Sequence, residues 1–222
     1  MSLTVDYNEI QRSVARRLGY PIASANRSTD EQDSINDAIR TGLRWFYFPT
    51  GEMTHEWSFL VKLYQETLVS GQNWYLLPDD FERVASSVDS SLTDHPLTAT
   101  TEDSIRLRIA GEGLSGGPEY CAVRNRQVEG DTRYEFGVYP TPDSAGTLSF
   151  WYLFSPSIIS ESNPEPLGGA VHADTIMLGC LAAAEAQMNP EMLAGEGGVH
   201  YQLFNEKLAA AVMSDRIQRG VQ

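Results

Sequence analysis

The stretch Arg133–Pro156, RYEFGVYPTPDSAGTLSFWYLFSP, constrains the fold of this chain more than any other. Two runs rich in aromatic and β-branched residues flank a Tyr139-Pro140-Thr141-Pro142-Asp143 corner. The two prolines restrict φ, and Asp143 with Ser144 can close an Asx-type turn. The pattern predicts a rigid β-hairpin. Such an element makes shape, with Asp143 and Ser144 taken up by its turn, which points to a protein whose work is assembly.

Strand signals continue on the N-terminal side of that corner. Within Glu56–Val69, Trp57, Phe59, Val61 and Leu63 recur at every second position, the period of a strand. Ser70-Gly71-Gln72-Asn73 reads as a hairpin turn into Trp74–Leu77, and Val84–Leu92 as a further strand. A short helix is expected after Thr100-Thr101, a glycine-rich loop at 111–118, and strands at 120–126, 133–139 and 147–154. About six strands with turn signals between them suggest a small sandwich or barrel.

Both ends are helical. Val5, Ile10, Val14 and Leu18 share a face that ends at Gly19. Ser28 with Glu31, or Thr29 with Gln32, has capping-box spacing ahead of the apolar stripe Ile35, Ala38, Ile39, Leu43 and Phe46. That helix stops before Pro49, leaving Trp45-Phe46-Tyr47-Phe48 as an aromatic end-cap to overlay a neighbouring layer. Ala170–Met188 and Val199–Ile217 form the C-terminal pair, the latter with Tyr201, Phe204, Leu208, Ala211 and Val212 inside and Asp215 outside. The expected class is α+β: a helical bundle formed by N- and C-terminal helices with an inserted antiparallel β-sandwich or barrel. Its domains are 1–54 with 157–222 (helical) and 55–156 (β-rich).

Net charge is −14, distributed as +2 over 1–27, −2 over 28–50, −9 over 51–156 and −5 over 157–222. A sequence-specific DNA binder shows a basic stripe, and none is visible. No run approaches the roughly 18 apolar residues that span a bilayer, so no membrane partner is expected. The N-terminus lacks the basic and apolar regions of a signal peptide, which predicts synthesis in a cytoplasm. Cys121 and Cys180, with no second Cys or His at metal spacing, read as buried free thiols.

Catalytic motifs lack their contexts. Gly113-Leu114-Ser115-Gly116-Gly117 matches G-x-S-x-G, but a nucleophile elbow needs a strand before it and a helix after it. The same glycines lack the trailing Lys of a phosphate loop. His172 and Asp174 sit two apart at a helix start and diverge, so capping or a buried polar contact is expected of them. Asp79-Asp80 and Glu102-Asp103 diverge likewise. No catalytic residue, cofactor or metal is therefore expected. The rivals are a carbohydrate- or receptor-binding module using exposed aromatics, and a hydrolase using Ser115.

Four pieces in order resemble the head-to-tail adaptor proteins of tailed bacteriophages, the tail tubular protein A group among them. They are the N-terminal helix pair with Ile35-Asn36-Asp37-Ala38-Ile39-Arg40, then Tyr75-Leu76-Leu77-Pro78-Asp79-Asp80-Phe81, then Tyr139–Asp143 followed by Leu148–Tyr152, and the helix beginning His172-Ala173-Asp174 after Pro164 and Pro166. The glycine loop at 111–118 has no counterpart.

The resemblance implies a non-enzymatic virion protein of the neck, made in the bacterial host. It forms a ring of twelve copies under the portal protein, meets a tail or nozzle protein, and lets packaged double-stranded DNA pass without specific binding. Trp45, Tyr47, Phe48 and Tyr139 are the candidate inter-subunit or inter-layer contacts. Arg216, Arg219 and Val221 mark a candidate flexible C-terminal tail that docks on the portal.

Overall fold

The computed structural model describes residues 4–128, 130–189 and 198–220. Along the chain run α1 (Tyr7–Leu18), α2 (Thr29–Tyr47), β1 (Val61–Leu68), β2 (Trp74–Leu76), β3 (Phe81–Val84), β4 (Asp89–Ser90) and β5 (Thr98–Ala99). They are followed by α3 (Glu102–Gly111), β6 (Tyr120–Val128), β7 (Asp131–Tyr139), β8 (Gly146–Phe154), α4 (Ala173–Met188) and α5 (Val199–Gly220). The chain divides into two bodies, one from the residues up to Phe59 with those from Ser157 onward, the other Leu60–Pro156. The class is α+β, helices with an inserted pair of sheets.

In the helical body, the ends of the helices follow local chemistry. The Asp6 carboxylate accepts the Glu9 amide at 2.7 Å to start α1. Gly19, at φ 77°, ends it in the left-handed region. At α2, Ser28 and Glu31 form the full capping box, with the Ser28 amide donating to Glu31 at 2.7 Å. Of the two spacings available in the sequence, this is the pair used. The stripe Ile35, Ala38, Ile39, Leu43 and Phe46 is buried throughout.

α4 sits centrally in this body, against α1, α2 and α5. Its Ala-rich run lets neighbours approach closely. At Gly42 a Cβ would stand 2.5 Å from the Cα of Cys180, and at Gly179 one would stand 3.0 Å from the Phe204 ring. Two glycines thus set how near α2 and α5 come to α4. The last turn of α2 is closed from outside the helix, where the fully buried Trp57 indole donates to the Phe46 carbonyl at 2.8 Å.

The other body holds two four-stranded sheets. In one, β8 is central, with β1 on one edge and β3 and β4 on the other, all antiparallel. The second runs β2-β7-β6-β5, with only the β5–β6 pair parallel. Inner faces meet through aromatics: Phe136 stacks on Phe150 at 4.9 Å, and Tyr134 meets Phe81 at 5.3 Å. α3 covers the outer side of the second sheet, where Ile105 packs with Ala122 and Tyr139.

Three strand expectations are corrected. The Tyr139–Asp143 corner does not close a hairpin: β7 and β8 lie in different sheets. Both edges of β7 are already taken, by β6 and β2, so the chain crosses to the opposite sheet and the two runs bury their aromatics face to face. Ser70–Asn73 is likewise a crossover, from β1 to β2. The two crossovers are tied together, since the Gly71 amide donates to the Pro142 carbonyl at 2.9 Å and the Asn73 amide nitrogen to the Thr141 hydroxyl at 2.9 Å.

The second correction concerns phase. A 3-10 turn at Ser58–Leu60 separates Trp57 and Phe59 from the strand that follows. Tyr64 and Leu68 face inward on β1, and Leu63 is half exposed. Trp57 belongs to the aromatic cluster of the helical body, not to the sandwich core. Third, residues 84–92 are not one strand: β3 ends at Val84 and β4 is the two-residue Asp89–Ser90.

Candidate functional site

Pro49 stops α2 directly after its run of aromatics, and the structure divides those aromatics between core and surface. Trp45 stands edge-on to Tyr201 of α5, ring centres 5.8 Å apart. With Phe48, Met53, Tyr201, Phe204 and Leu208 it lines an open apolar cleft of about 570 Å³ between the end of α2 and α5. Arg44 and Glu52 stand at its rim, both exposed.

Tyr47 and Tyr139, expected as contacts to a subunit or a layer, are used inside the chain. Tyr47 is buried, its hydroxyl donates to the Leu167 carbonyl at 3.1 Å, and burial pushes its pKa up. Tyr139 is buried under α3 and donates to Glu112 at 2.9 Å. Both join layers of one chain, so neither side chain is available to a second copy. Of the four aromatics, Trp45 and Phe48 face the cleft.

The C-terminal segment is not a free tail as far as it is described. α5 runs to Gly220, and Asp215, expected on the outside, is buried. Its carboxylate accepts His55 Nε2 at 2.7 Å and the Ser58 hydroxyl at 2.5 Å. Burial pushes that carboxyl up, but the hydrogen bonds from Ser58 and His55 outweigh it and hold it below the ordinary value. Arg219 stands 3.6 Å from the same carboxylate, and Arg216 donates to the Thr54 carbonyl at 3.4 Å. Val221 lies outside the described residues.

A second buried carboxylate joins three helices. Glu185 of α4 accepts Arg17 of α1 at 2.5 Å and meets His200 Nδ1 of α5 at 2.6 Å. Here too burial pushes up, and the His200 and Arg17 partners win. Neither Asp215 nor Glu185 stands out in the sequence as chemistry. The signals were positional: Asp215 is three residues after Val212 and seven after Leu208, on their face, and Glu185 is a lone acid in an apolar Ala-rich run.

Elsewhere, groups that could suggest catalysis are used structurally. The Ser115 hydroxyl donates to the Thr141 carbonyl at 3.2 Å, and none of the four histidines meets it. The His172 ring lies among Phe46, Trp57 and Phe59 and caps no amide. Its Nδ1 has no hydrogen-bond partner among the described residues, and burial lowers its pKa. Asp79 and Asp80 pair separately with Arg133 and Lys62. Glu102 and Asp103 pair with Arg124 and Arg106. Most of the aromatics that could stack on a sugar, among them Trp57, Tyr75, Phe136 and Phe150, are buried, while Trp151 is half exposed.

Among the described residues no three His, Cys, Asp or Glu side chains gather as a metal could require, and no helix is long and apolar enough to cross a membrane. What these surfaces offer is contact: a cleft, clamped helices and an acidic exterior. No curated protein matches the chain. The family model of the SU10 adaptor protein matches residues 5–222, which spans the aromatic cleft, both sheets and the Asp215 clamp. The chain thus belongs to the SU10 adaptor protein family, structural proteins that join the head of a phage to its tail.

Proposed function

We propose that copies of this chain associate side by side into a ring beneath the portal, extend the DNA channel toward the tail, and present the far side of the ring to a tail or nozzle protein. The family match over nearly the whole chain carries this reading. A ring needs two different surfaces that meet heterologously, and a body with a concave apolar cleft on one side suits that requirement. The net charge of −14 suits a channel through which phosphates pass without being held. Twelve copies are expected by the resemblance of the chain to head-to-tail adaptors, and the exposed C-terminal end of α5, with Arg216 and Arg219, is the proposed portal-docking segment.

Native mass spectrometry and electron microscopy of the purified protein, alone and with its cognate portal, test the reading. Rings, or a stoichiometric complex with the portal, are expected. A chain that stays monomeric and ignores the portal overturns it.

A further inference from the structure

α5 has two apolar faces. Phe204, Leu208, Val212 and Asp215 lie on its buried side. On the opposite side, at alternating steps of three and four residues, stand Leu203, Glu206, Ala210, Met213 and Ile217, all exposed. Leu203, Met213 and Ile217 are 42%, 69% and 65% exposed. Single exposed apolar side chains are ordinary, whereas four apolar side chains and the one charge of Glu206 along a line about 21 Å long, at the spacing of a helix-packing seam, mark a contact surface.

The cleft is the second open apolar feature of this body. Its α5 residues, Tyr201, Phe204 and Leu208, belong to the side of the helix away from the ridge. Ridge and cleft therefore face in opposite directions from one helix. Their charges are complementary: Arg44 and Glu52 stand at the cleft rim, Glu206 sits in the ridge with Lys207 beside it, and none of the four is ion-paired among the described residues.

The geometry points to the α5 ridge of one copy seated in the aromatic cleft of the next, with Glu206 toward Arg44 and Lys207 toward Glu52. This names the lateral contact of the ring and rests on the ring reading above. Because the two surfaces point oppositely, two copies cannot satisfy both at once. Each junction leaves one ridge and one cleft open, so association propagates until the circle closes.

The test uses the full chain, with and without portal, followed by native mass spectrometry and electron microscopy. Met213→Asp in the ridge and Met53→Asp in the cleft are each expected to weaken self-association tenfold or more while circular dichroism and thermal melting stay native. Mixing the two variants is expected to give dimers that stop there, through the one intact junction. Arg44→Glu and Glu206→Arg each reduce ring yield, and together in one chain they restore it. If the ridge variant forms rings as readily as the unmodified protein, or the mixture stays monomeric while both variants are folded, the ridge-in-cleft contact is wrong and the ring reading stands. If the unmodified protein forms no ring even on the portal, both are wrong.

Discussion

His55 Nε2 lies 2.7 Å from Asp215 Oδ2, across 160 residues of chain. Both side chains are about 95% buried, at 5% and 4% exposure. The Ser58 hydroxyl and amide donate to the same carboxylate at 2.5 and 3.2 Å. One acid thereby fixes the last turns of α5 to the segment that leaves the helical body for the sheets.

Removing one partner of a buried, hydrogen-bonded pair leaves the other without compensation, at a cost of roughly 3 kcal/mol. Asp215→Ala is expected to destabilise the helical body by about that much, read from the midpoint of urea unfolding. A chain ending at Ser214 loses the same clamp and unfolds at correspondingly lower urea, whereas one ending at Arg219 retains it. Equal stability of the two shortened chains would show that the last turns of α5 hold nothing.

Gly42→Ala tests the approach of α2 to α4. Alanine is the better helix former by about 1 kcal/mol. Here its Cβ would stand 2.5 Å from the backbone of Cys180, which cannot swing aside as a side chain could. Overpacking of that kind costs about 1–3 kcal/mol, so a lower melting temperature is expected. Gly111→Ala at the end of α3 has open space and is expected to be neutral or slightly stabilising. A melting temperature unchanged by Gly42→Ala contradicts the close packing.

What the sequence discloses divides by range. The Ser28–Glu31 cap and the α2 stripe are legible because a cap spans three residues and a helical face repeats within seven. Strand pairing is not local. Nothing within Arg133–Pro156 says that β6 and β2 already occupy both edges of β7, and that occupancy turns an expected hairpin into a crossover between sheets. Phase fails at Ser58–Leu60 for a similar reason: one 3-10 turn inverts the faces of β1, and period-two counting runs straight through it. Asp215 shows charge competing with periodicity, since an acid counted as outward sits on the inner face of α5 beside its distant partners. The aromatic end of α2 is readable from Pro49, but which of its rings stay open depends on α5, more than 150 residues later in the chain.

The two thiols should be silent in the native protein. Cys180 is fully buried between α2 and α4, and burial pushes it up to about 12. Cys121 is buried on β6 and pushed up to about 11. The thiolate is the reactive form, so iodoacetamide at pH 8 is expected to leave both unmodified until denaturant is added, when both react. Intact-mass spectrometry reads the outcome, and rapid native labelling of Cys180 would contradict the packing around it.

Acid should weaken the helical body through Asp215 and Glu185. Burial pushes both carboxyls up, yet their hydrogen-bonding partners prevail and both titrate below the ordinary range in the native state. In the unfolded chain they take up protons near pH 4. As pH falls through that value the unfolded state binds protons that the native state still refuses, so stability drops with pH, and the drop continues until the lower native values are reached. Each such group contributes a slope of up to about 1.4 kcal/mol per pH unit in that window. Urea midpoints measured from pH 6 down to pH 3 are expected to fall steeply for the unmodified protein. The Asp215→Asn, Glu185→Gln double variant starts from lower stability at pH 6 and shows a shallower acid slope, because the two titrations are gone. A slope identical to that of the unmodified protein would mean that these carboxylates are not held ionised by the folded state.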